Sequence, residues 1–318
     1  MTNSGAADAP TDLVDVPCPL CGTRPFHALY TVRDRLDPNV AQAKSPPQDK
    51  TYQIVACSSC GFLYLNPRPA PRELQKHYHT ESYDPHRRRG GGAIGHLFRL
   101  MRPLSIRWKA AKVNKAKVKG ILLDIGCGTG EFLRHMSDCG WDAIGVEMDE
   151  KAAKAAESIG CTVIVGDPAE VQLPESNFDL ITLWHSLEHL PNLTSVADNI
   201  SAALKSGGKL AVALPNPGSL DARHYGARWA AWDAPRHLYH FRHRDIQALL
   251  QPRGLQLIKM WSLPLDPFYH CLLSESSGAA RRSAGLKAAR GLLLGILSFL
   301  AGLKPGRGSS TLYLFLKS

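Results

Sequence analysis

Residues 122–132, Leu-Leu-Asp-Ile-Gly-Cys-Gly-Thr-Gly-Glu-Phe, constrain the fold of this chain more than any other stretch. An apolar run stops at a glycine-rich turn and resumes as a helix, the layout of a nucleotide-binding strand, loop and helix. The glycines stand at 126, 128 and 130. A dinucleotide fingerprint wants its third glycine at 131, where Glu131 stands, and a carboxylate at a helix N-terminus repels a pyrophosphate. The same carboxylate tolerates a cation, and Asp124 adds a second negative group ahead of the glycines.

These groups suit a ligand with a positively charged amino acid end and a sulfonium, S-adenosylmethionine. An acid followed by G-x-G-x-G, here Asp124, Gly126, Gly128 and Gly130, resembles the first motif of the class I S-adenosylmethionine-dependent methyltransferases. The resemblance covers roughly residues 17–318. It implies an α/β fold: a Rossmann-like seven-stranded methyltransferase sheet whose strand 7 is antiparallel, between the fifth and sixth. Strands are predicted over 142–147, 161–165, 178–185, 209–214, 255–263 and 311–317, with helices between most of them. Glu147, 23 residues past Asp124, ends the second strand. The resemblance gives Glu147 the ribose hydroxyls, with Met148 beside it, and gives Asp167 and its neighbour Pro168 the adenine end. Ligands of open α/β sheets bind outside the strands' carboxyl ends, so Trp184, His185 and Ser186 are expected to line the methyl-transfer pocket. His189, in the Leu-Glu-His-Leu that follows, reads equally as a helix-start residue and as a functional one.

Ahead of this domain stand two C-x-x-C-G turns, Cys18 with Cys21 and Cys57 with Cys60, 35 residues apart. Each puts two thiolates on one tight loop, and two such loops close a tetrahedral Zn²⁺ site. With apolar segments at 26–32, 52–56 and 62–65, the pattern reads as a small N-terminal zinc ribbon. Four ligands fill the coordination sphere, which makes the Zn²⁺ structural; core thiols or a redox pair are the plainer alternatives. Residues 33–50 read as a loop between the knuckles. The expected division is a disordered tail over 1–16, the ribbon over 17–68, a basic linker and amphipathic helix over 69–118, and the methyltransferase domain over 119–318. The tail carries Asp8, Asp12 and Asp15 without a basic start or an apolar core, so it does not read as a signal peptide.

The net charge of +10 is concentrated in two acid-free patches: eleven Lys or Arg between His86 and Gly120, and six between Arg281 and Arg307. Without them the chain is acidic, so an anionic partner is expected at one place, with solvated helix faces as the bland alternative. In the first patch Ile94, Leu97, Phe98, Met101, Leu104 and Trp108 recur at helical spacing, suited to lipid or to packing on the sheet, and Pro103 is expected to break or kink that helix. The second patch brackets a nearly all-apolar run, 292–303, within an insert over 264–310. That run is shorter than the ~20 residues a bilayer span takes, so it suits an interfacial helix or an apolar channel, against a dimer face or a buried core helix.

A second insert, 215–242, is rich in aromatic, His and Arg side chains and follows the fifth strand, where a loop covers the active site. It is expected to act as a substrate lid, with Trp229, Trp232, Asp233, Arg236 and Tyr239 binding substrate and inert packing as the alternative. Methyl transfer to a hydroxyl needs proton removal near neutral pH, for which His237 leads, with His185 and His240 as rivals.

The function expected is S-adenosylmethionine-dependent methylation, on oxygen, of a small-molecule, sugar or lipid-linked acceptor. The place expected is the cytoplasm, peripherally on an anionic inner membrane face. No Asp-Pro-Pro-Tyr-like or Asn-Pro-Pro-Tyr-like tetrapeptide follows the fourth strand, and no Pro-Cys, which sets the chain apart from base methyltransferases of those types. A zinc-ribbon RNA methyltransferase is the second reading, although phosphate binding alone does not need a basic patch around an apolar helix. A non-catalytic cofactor-binding adaptor is the third.

Overall fold

The computed structural model describes residues 13–36, 51–74, 77, 93–114, 119–276 and 283–318 and, in the helix that begins at Ala93, side chains from Met101 onward. Most of the expected 1–16 tail, most of the 33–50 loop, the Arg87-Arg88-Arg89 run, Lys115, Lys117, Arg281 and Arg282 lie outside the described residues.

Strands β1 (Leu13–Val14), β2 (Phe26–Arg33), β3 (Thr51–Cys57), β4 (Leu63–Leu65) and β5 (Arg68–Pro69) form the N-terminal part. Next come β6 (Ile121–Ile125), β7 (Asp142–Glu147), β8 (Thr162–Val165), β9 (Phe178–Trp184) and β10 (Leu204–Pro215), followed by β11 (Tyr239–His240), β12 (Leu255–Ser262) and β13 (Ser310–Lys317). The central sheet has the order β12-β13-β10-β9-β6-β7-β8, and β13 alone runs antiparallel, between β10 and β12. This is the expected Rossmann-like seven-stranded sheet.

β6 reads as a continuous apolar run because both of its faces are covered, with Leu122 and Leu123 fully buried. Each such leucine contributes about 1.5–3 kcal/mol by leaving water. From β6 the chain winds out through β7 and β8, then returns to the other side of β6 as β9. The crevice between the carboxyl ends of β6 and β9 is therefore the switch point where ligands of such sheets bind.

Three expectations change. The helix Ala93–Val113 runs unbroken through Pro103. Leu13 and Val14, assigned to a disordered tail, pair with Arg68 and Pro69 as β1 and β5. Most consequentially, the 215–242 insert is not a free loop. Its β11 pairs with β4, Tyr239 opposite Tyr64 and His240 opposite Leu63, and completes a four-stranded sheet β11-β4-β3-β2. A boundary at residue 68 is thus one of chain order, since the ribbon's fourth strand comes from within the methyltransferase domain, and both share one apolar core.

The 264–310 insert folds as two packed helices, Asp266–Ser276 and Ala284–Ala301. Gly291 and Gly295 let the second lie close on the first, where an added Cβ would come within 2.9 Å of Leu272 and 2.8 Å of Phe268.

Candidate active site

The glycine loop closes the end of β6. Gly126, Gly128 and Gly130 have φ of +73°, +54° and +78°, a region that favours glycine, and Gly130 leads directly into the helix Glu131–Asp138. A Cβ at Gly126 would lie 2.5 Å from the Cβ of Ser186, so the loop after β9 rests directly on the glycine loop. Gly126→Ala is therefore expected to weaken S-adenosylmethionine binding by at least about tenfold, since ~1.4 kcal/mol of loop displacement suffices. Isothermal titration calorimetry on the folded variant checks it; unchanged affinity would remove the loop from the cofactor site.

The expected cofactor residues lie at the carboxyl ends of β6, β7, β8 and β9. The carboxylate of Glu147 accepts from the backbone N–H groups of Gly128 (2.8 Å), Met148 (2.9 Å) and Asp149 (3.0 Å), which ties the end of β7 to the glycines. Asp124 is buried and accepts the Thr182 hydroxyl at 2.6 Å; burial pushes its carboxyl up to about 7. Asp167 accepts from Ala169 N–H at 2.8 Å, and the Pro168 carbonyl accepts from Asn199. The Trp184 ring meets Phe132 edge-on at 4.9 Å and lies 4.8 Å from the Lys109 ammonium, which the helix before β6 supplies. Glu131, at the helix start, pairs with Arg102 of that same helix.

Beyond β9 the backbone turns through His185 at φ +57°, an uncommon value for a side-chain-bearing residue. His185 Nε2 lies 3.0 Å from Asp266 Oδ2, and Nδ1 faces Glu188 Oε1 at 3.5 Å. Burial alone would lower the imidazole's pKa, but the two carboxylates outweigh it and lift it to about 9. Burial raises the pKa of Asp266, but His185, with His270 and Ser310, outweighs it and holds the carboxyl well below the usual range. Glu188 is 1% exposed, and neither of its oxygens makes a hydrogen bond among the described residues. Burial raises its pKa, but His185, His237 and His189 together outweigh that and hold it below the ordinary value.

His189 donates Nδ1–H to the Arg236 carbonyl at 3.1 Å, and burial brings its pKa down to about 4. His237 donates Nδ1–H to the Ala231 carbonyl at 2.9 Å, and the two imidazoles meet edge-on, centroids 4.6 Å apart.

The insert's expected substrate residues turn inward. Trp229 is buried and donates to Asp221 at 2.8 Å, while Trp232 is buried and donates to the Gly226 carbonyl at 2.8 Å. Arg236 is fully buried, forked between Asp233 (2.8 and 3.1 Å) and Asp34 of the ribbon (2.9 and 3.2 Å). Tyr239 is buried, accepts from Arg68 at 3.0 Å and donates to the Pro191 carbonyl at 2.6 Å. His240 packs on Trp232 at 4.7 Å, and burial drives its pKa well down. Tyr239 and His240 form β11 at the edge of the ribbon sheet, Arg236 reaches Asp34 of the ribbon and Trp232 packs on Tyr30 at 5.4 Å, so this part of the insert also joins the two parts of the chain.

Sequence reasoning missed Asp266, Glu188, Lys109 and Asp34. An Asp-Pro at 266–267 marks a helix start and would have located Asp266. Asp34 fell in the presumed knuckle loop.

At the N-terminal end, Cys18, Cys21, Cys57 and Cys60 converge, with Sγ separations of 3.6 Å (Cys18 to Cys60) and 3.5 Å (Cys21 to Cys57). Four thiolates about 2.3 Å from one Zn²⁺ sit about 3.8 Å apart, so the donor set fits that ion, and the sulfurs are too far apart for disulfides.

The doubly wound sheet with one antiparallel strand, the G-x-G-x-G loop at its switch point and the acid at the end of β7 define a class I S-adenosylmethionine-dependent methyltransferase. The chain belongs to the methyltransferase-domain family, whose match runs over residues 91–260. It is 25% identical over 181 residues to a ubiquinone biosynthesis O-methyltransferase of Xanthomonas axonopodis pv. citri, spanning 53% of this chain and 75% of that one. A sterol 4-C-methyltransferase of Caenorhabditis elegans is 34% identical over 98 residues, 28% of this chain and only 29% of the relative. The geranyl diphosphate C-methyltransferase of Streptomyces coelicolor A3(2), solved with S-adenosyl-L-homocysteine, shares the fold at a TM-score of 0.50 and 17% identity, over 71% of this chain and 82% of that one.

Proposed function

We propose that the protein methylates a hydroxyl of a small-molecule, sugar or lipid-linked acceptor, working peripherally at an anionic membrane surface on the cytoplasmic side. The observation that carries this reading is the His185–Asp266 pair, whose neighbour Ser186 rests on the glycine loop. Asp124, the three glycines, Glu147, Met148, Asp167, Pro168 and Trp184 hold S-adenosylmethionine, which supplies the methyl group when bound. Asp266 holds His185 through Nε2, and the deprotonated imidazole is the group that takes the acceptor's proton. His237, with Nδ1 engaged by the Ala231 carbonyl, stands beside the cleft as a neighbour of that base. The name of the Xanthomonas relative, an O-methyltransferase, agrees with a hydroxyl acceptor. The four cysteines hold a structural Zn²⁺ that ties the ribbon loops together.

The membrane part rests on the helix Ala284–Ala301, apolar enough to cross a bilayer by composition and about 27 Å long. Leu292, Leu293, Ile296, Leu297 and Leu300 are 44–59% exposed on it, and Leu303 just past its end 68%, with Lys287, Arg290, Lys304 and Arg307 alongside. That composition suits an interfacial helix on anionic lipid. The helix it packs on begins at Asp266, the partner of His185, so a lipid-facing surface adjoins the catalytic pair.

Liposomes containing anionic phospholipid are expected to float the protein at low salt, and less as salt rises. Tritium from labelled S-adenosylmethionine is expected in organic-extractable or small-molecule product. Retention on RNA without flotation overturns the membrane part, and label in RNA overturns the acceptor class.

A further inference from the structure

We infer that Glu188, His189 and His237 form a second metal centre, a His₂Glu site for a divalent first-row transition ion of the Zn²⁺ type, distinct from the four-cysteine site. One candidate ligand atom from each of the three lies within 4.8 Å of those of the other two. Around a tetrahedral ion with bonds of about 2.1 Å, ligand atoms stand about 3.4 Å apart, so small side-chain rotations close the set.

Two features prepare these groups for a cation. Both imidazoles direct Nδ1–H to a backbone carbonyl, His189 to Arg236 and His237 to Ala231. That fixes each tautomer with its lone pair on Nε2, the outer-shell arrangement typical of metal-binding histidines. Independently, Glu188 is 1% exposed and, among the described residues, no group donates a hydrogen bond to either carboxylate oxygen. A buried carboxylate left so costs several kcal/mol unless a partner compensates it. The His185 imidazole faces it at 3.5 Å and is shared with Asp266, so its compensation of Glu188 is partial. His237 Nε2 faces Asp233 Oδ2 only at 4.0 Å, and that carboxylate is already engaged by Arg236.

The ligands come from two distant parts of the chain. Glu188 and His189 follow β9 at the cofactor end of the sheet, and His237 belongs to the 215–242 insert. The Leu238 N–H to Glu188 carbonyl bond, 2.8 Å, holds the two together. Three protein ligands leave a tetrahedral ion one open position, which suits an oxygen acceptor. A bound ion there would lower the pKa of a coordinated hydroxyl beside His185. That role rests on the acceptor reading above, whereas the binding itself does not.

The test uses the full-length protein with Zn²⁺ already in the four-cysteine site, titrated with Co²⁺. One further equivalent is expected to give ligand-field absorption without a thiolate charge-transfer band. Glu188→Gln and His237→Gln are each expected to weaken that equivalent by at least about tenfold, since the loss of even an outer-shell partner of a ligand costs about that much. Circular dichroism and retention of one cysteine-bound Zn²⁺ per chain identify folded variants. Absence of a second equivalent in the wild type overturns the inference, as does a second equivalent that persists unchanged in folded variants or shows thiolate bands. If Co²⁺ binds as expected while no hydroxyl acceptor is methylated, the proposed function fails and the metal centre stands.

Discussion

His185→Ala is expected to lower kcat by about 10²–10⁴-fold, roughly 3–5 kcal/mol of transition-state stabilisation, while S-adenosylmethionine still binds. The residue stands at the carboxyl end of β9, its Nε2 3.0 Å from Asp266, and its backbone sits at φ +57°. A pKa lifted to about 9 by Asp266 and Glu188, against the pull of burial, means that the imidazole carries a proton at neutral pH. A general base must lose that proton first, so kcat/KM is expected to climb about tenfold per pH unit and level near pH 9. Asp266→Asn removes an opposite charge, which lowers the imidazole's pKa, so the rising limb moves to lower pH although the maximal rate falls. A merely structural role for Asp266 would leave the limb in place. Full activity in His185→Ala, or a flat profile between pH 7 and 9, would sink this assignment. Linkage to stability has a definite sign: a raised histidine pKa stabilises the fold in full below the unfolded value near 6.5, and that contribution is lost as pH rises through about 9.

The cofactor end of the site was legible because its constraints are local. Glycines at 126, 128 and 130 answer to positive φ and to contact with Ser186, and C-x-x-C pairs put thiolates on one turn whatever the rest of the chain does. The sheet was legible for a related reason, since strands buried on both faces, such as β6 and β13, read as apolar runs. The destination of the 215–242 insert was not. Composition reported aromatic rings, histidines and arginines, which serve a lid and a packed interface equally well, and nothing local to Tyr239 and His240 shows that they pair with Tyr64 and Leu63. The partners of His185 and Arg236 were hidden for the same reason: Asp266 and Asp34 lie far off in sequence, and only the fold brings them close. Pro103 misled in the opposite direction, as a strong local signal absorbed by a helix packed on β6's neighbours.

Arg236→Met is expected to destabilise the folded protein by about 3–5 kcal/mol, the range for breaking a buried ion pair from one side. The guanidinium is 0% exposed and makes its bonds to two carboxylates that belong to different parts of the chain, Asp233 of the insert and Asp34 of the ribbon. Removing it leaves the buried Asp34 and the half-buried Asp233 with reduced compensation. His77, 3.3 Å from Asp34, and Arg35, 3.7 Å from Asp233, remain, which places the loss toward the lower end of that range. Arg236→Lys keeps a charge but forfeits the fork, so it is expected to fall between wild type and methionine. The signature that separates this ion cluster from simple overpacking is acid dependence. Burial raises the pKa of both aspartates, but Arg236 contributes to holding each below its ordinary value, Asp34 with the help of its bond to His77. Depressed carboxyl pKa values stabilise above the unfolded value near 3.8, and that stability drains away as pH falls through the folded values. Urea midpoints of wild type and Arg236→Met should therefore differ most near neutrality and converge on acidification below about pH 4. An unchanged midpoint at neutral pH, or a gap that does not narrow in acid, would show that the insert and ribbon are held together by apolar packing alone. A gap that closes on acidification instead identifies the Asp34–Arg236–Asp233 cluster as the joint between the cysteine module and the catalytic sheet. Because His237 follows Arg236 directly and His189 donates to the Arg236 carbonyl, loosening that joint also displaces the histidines beside the acceptor cleft.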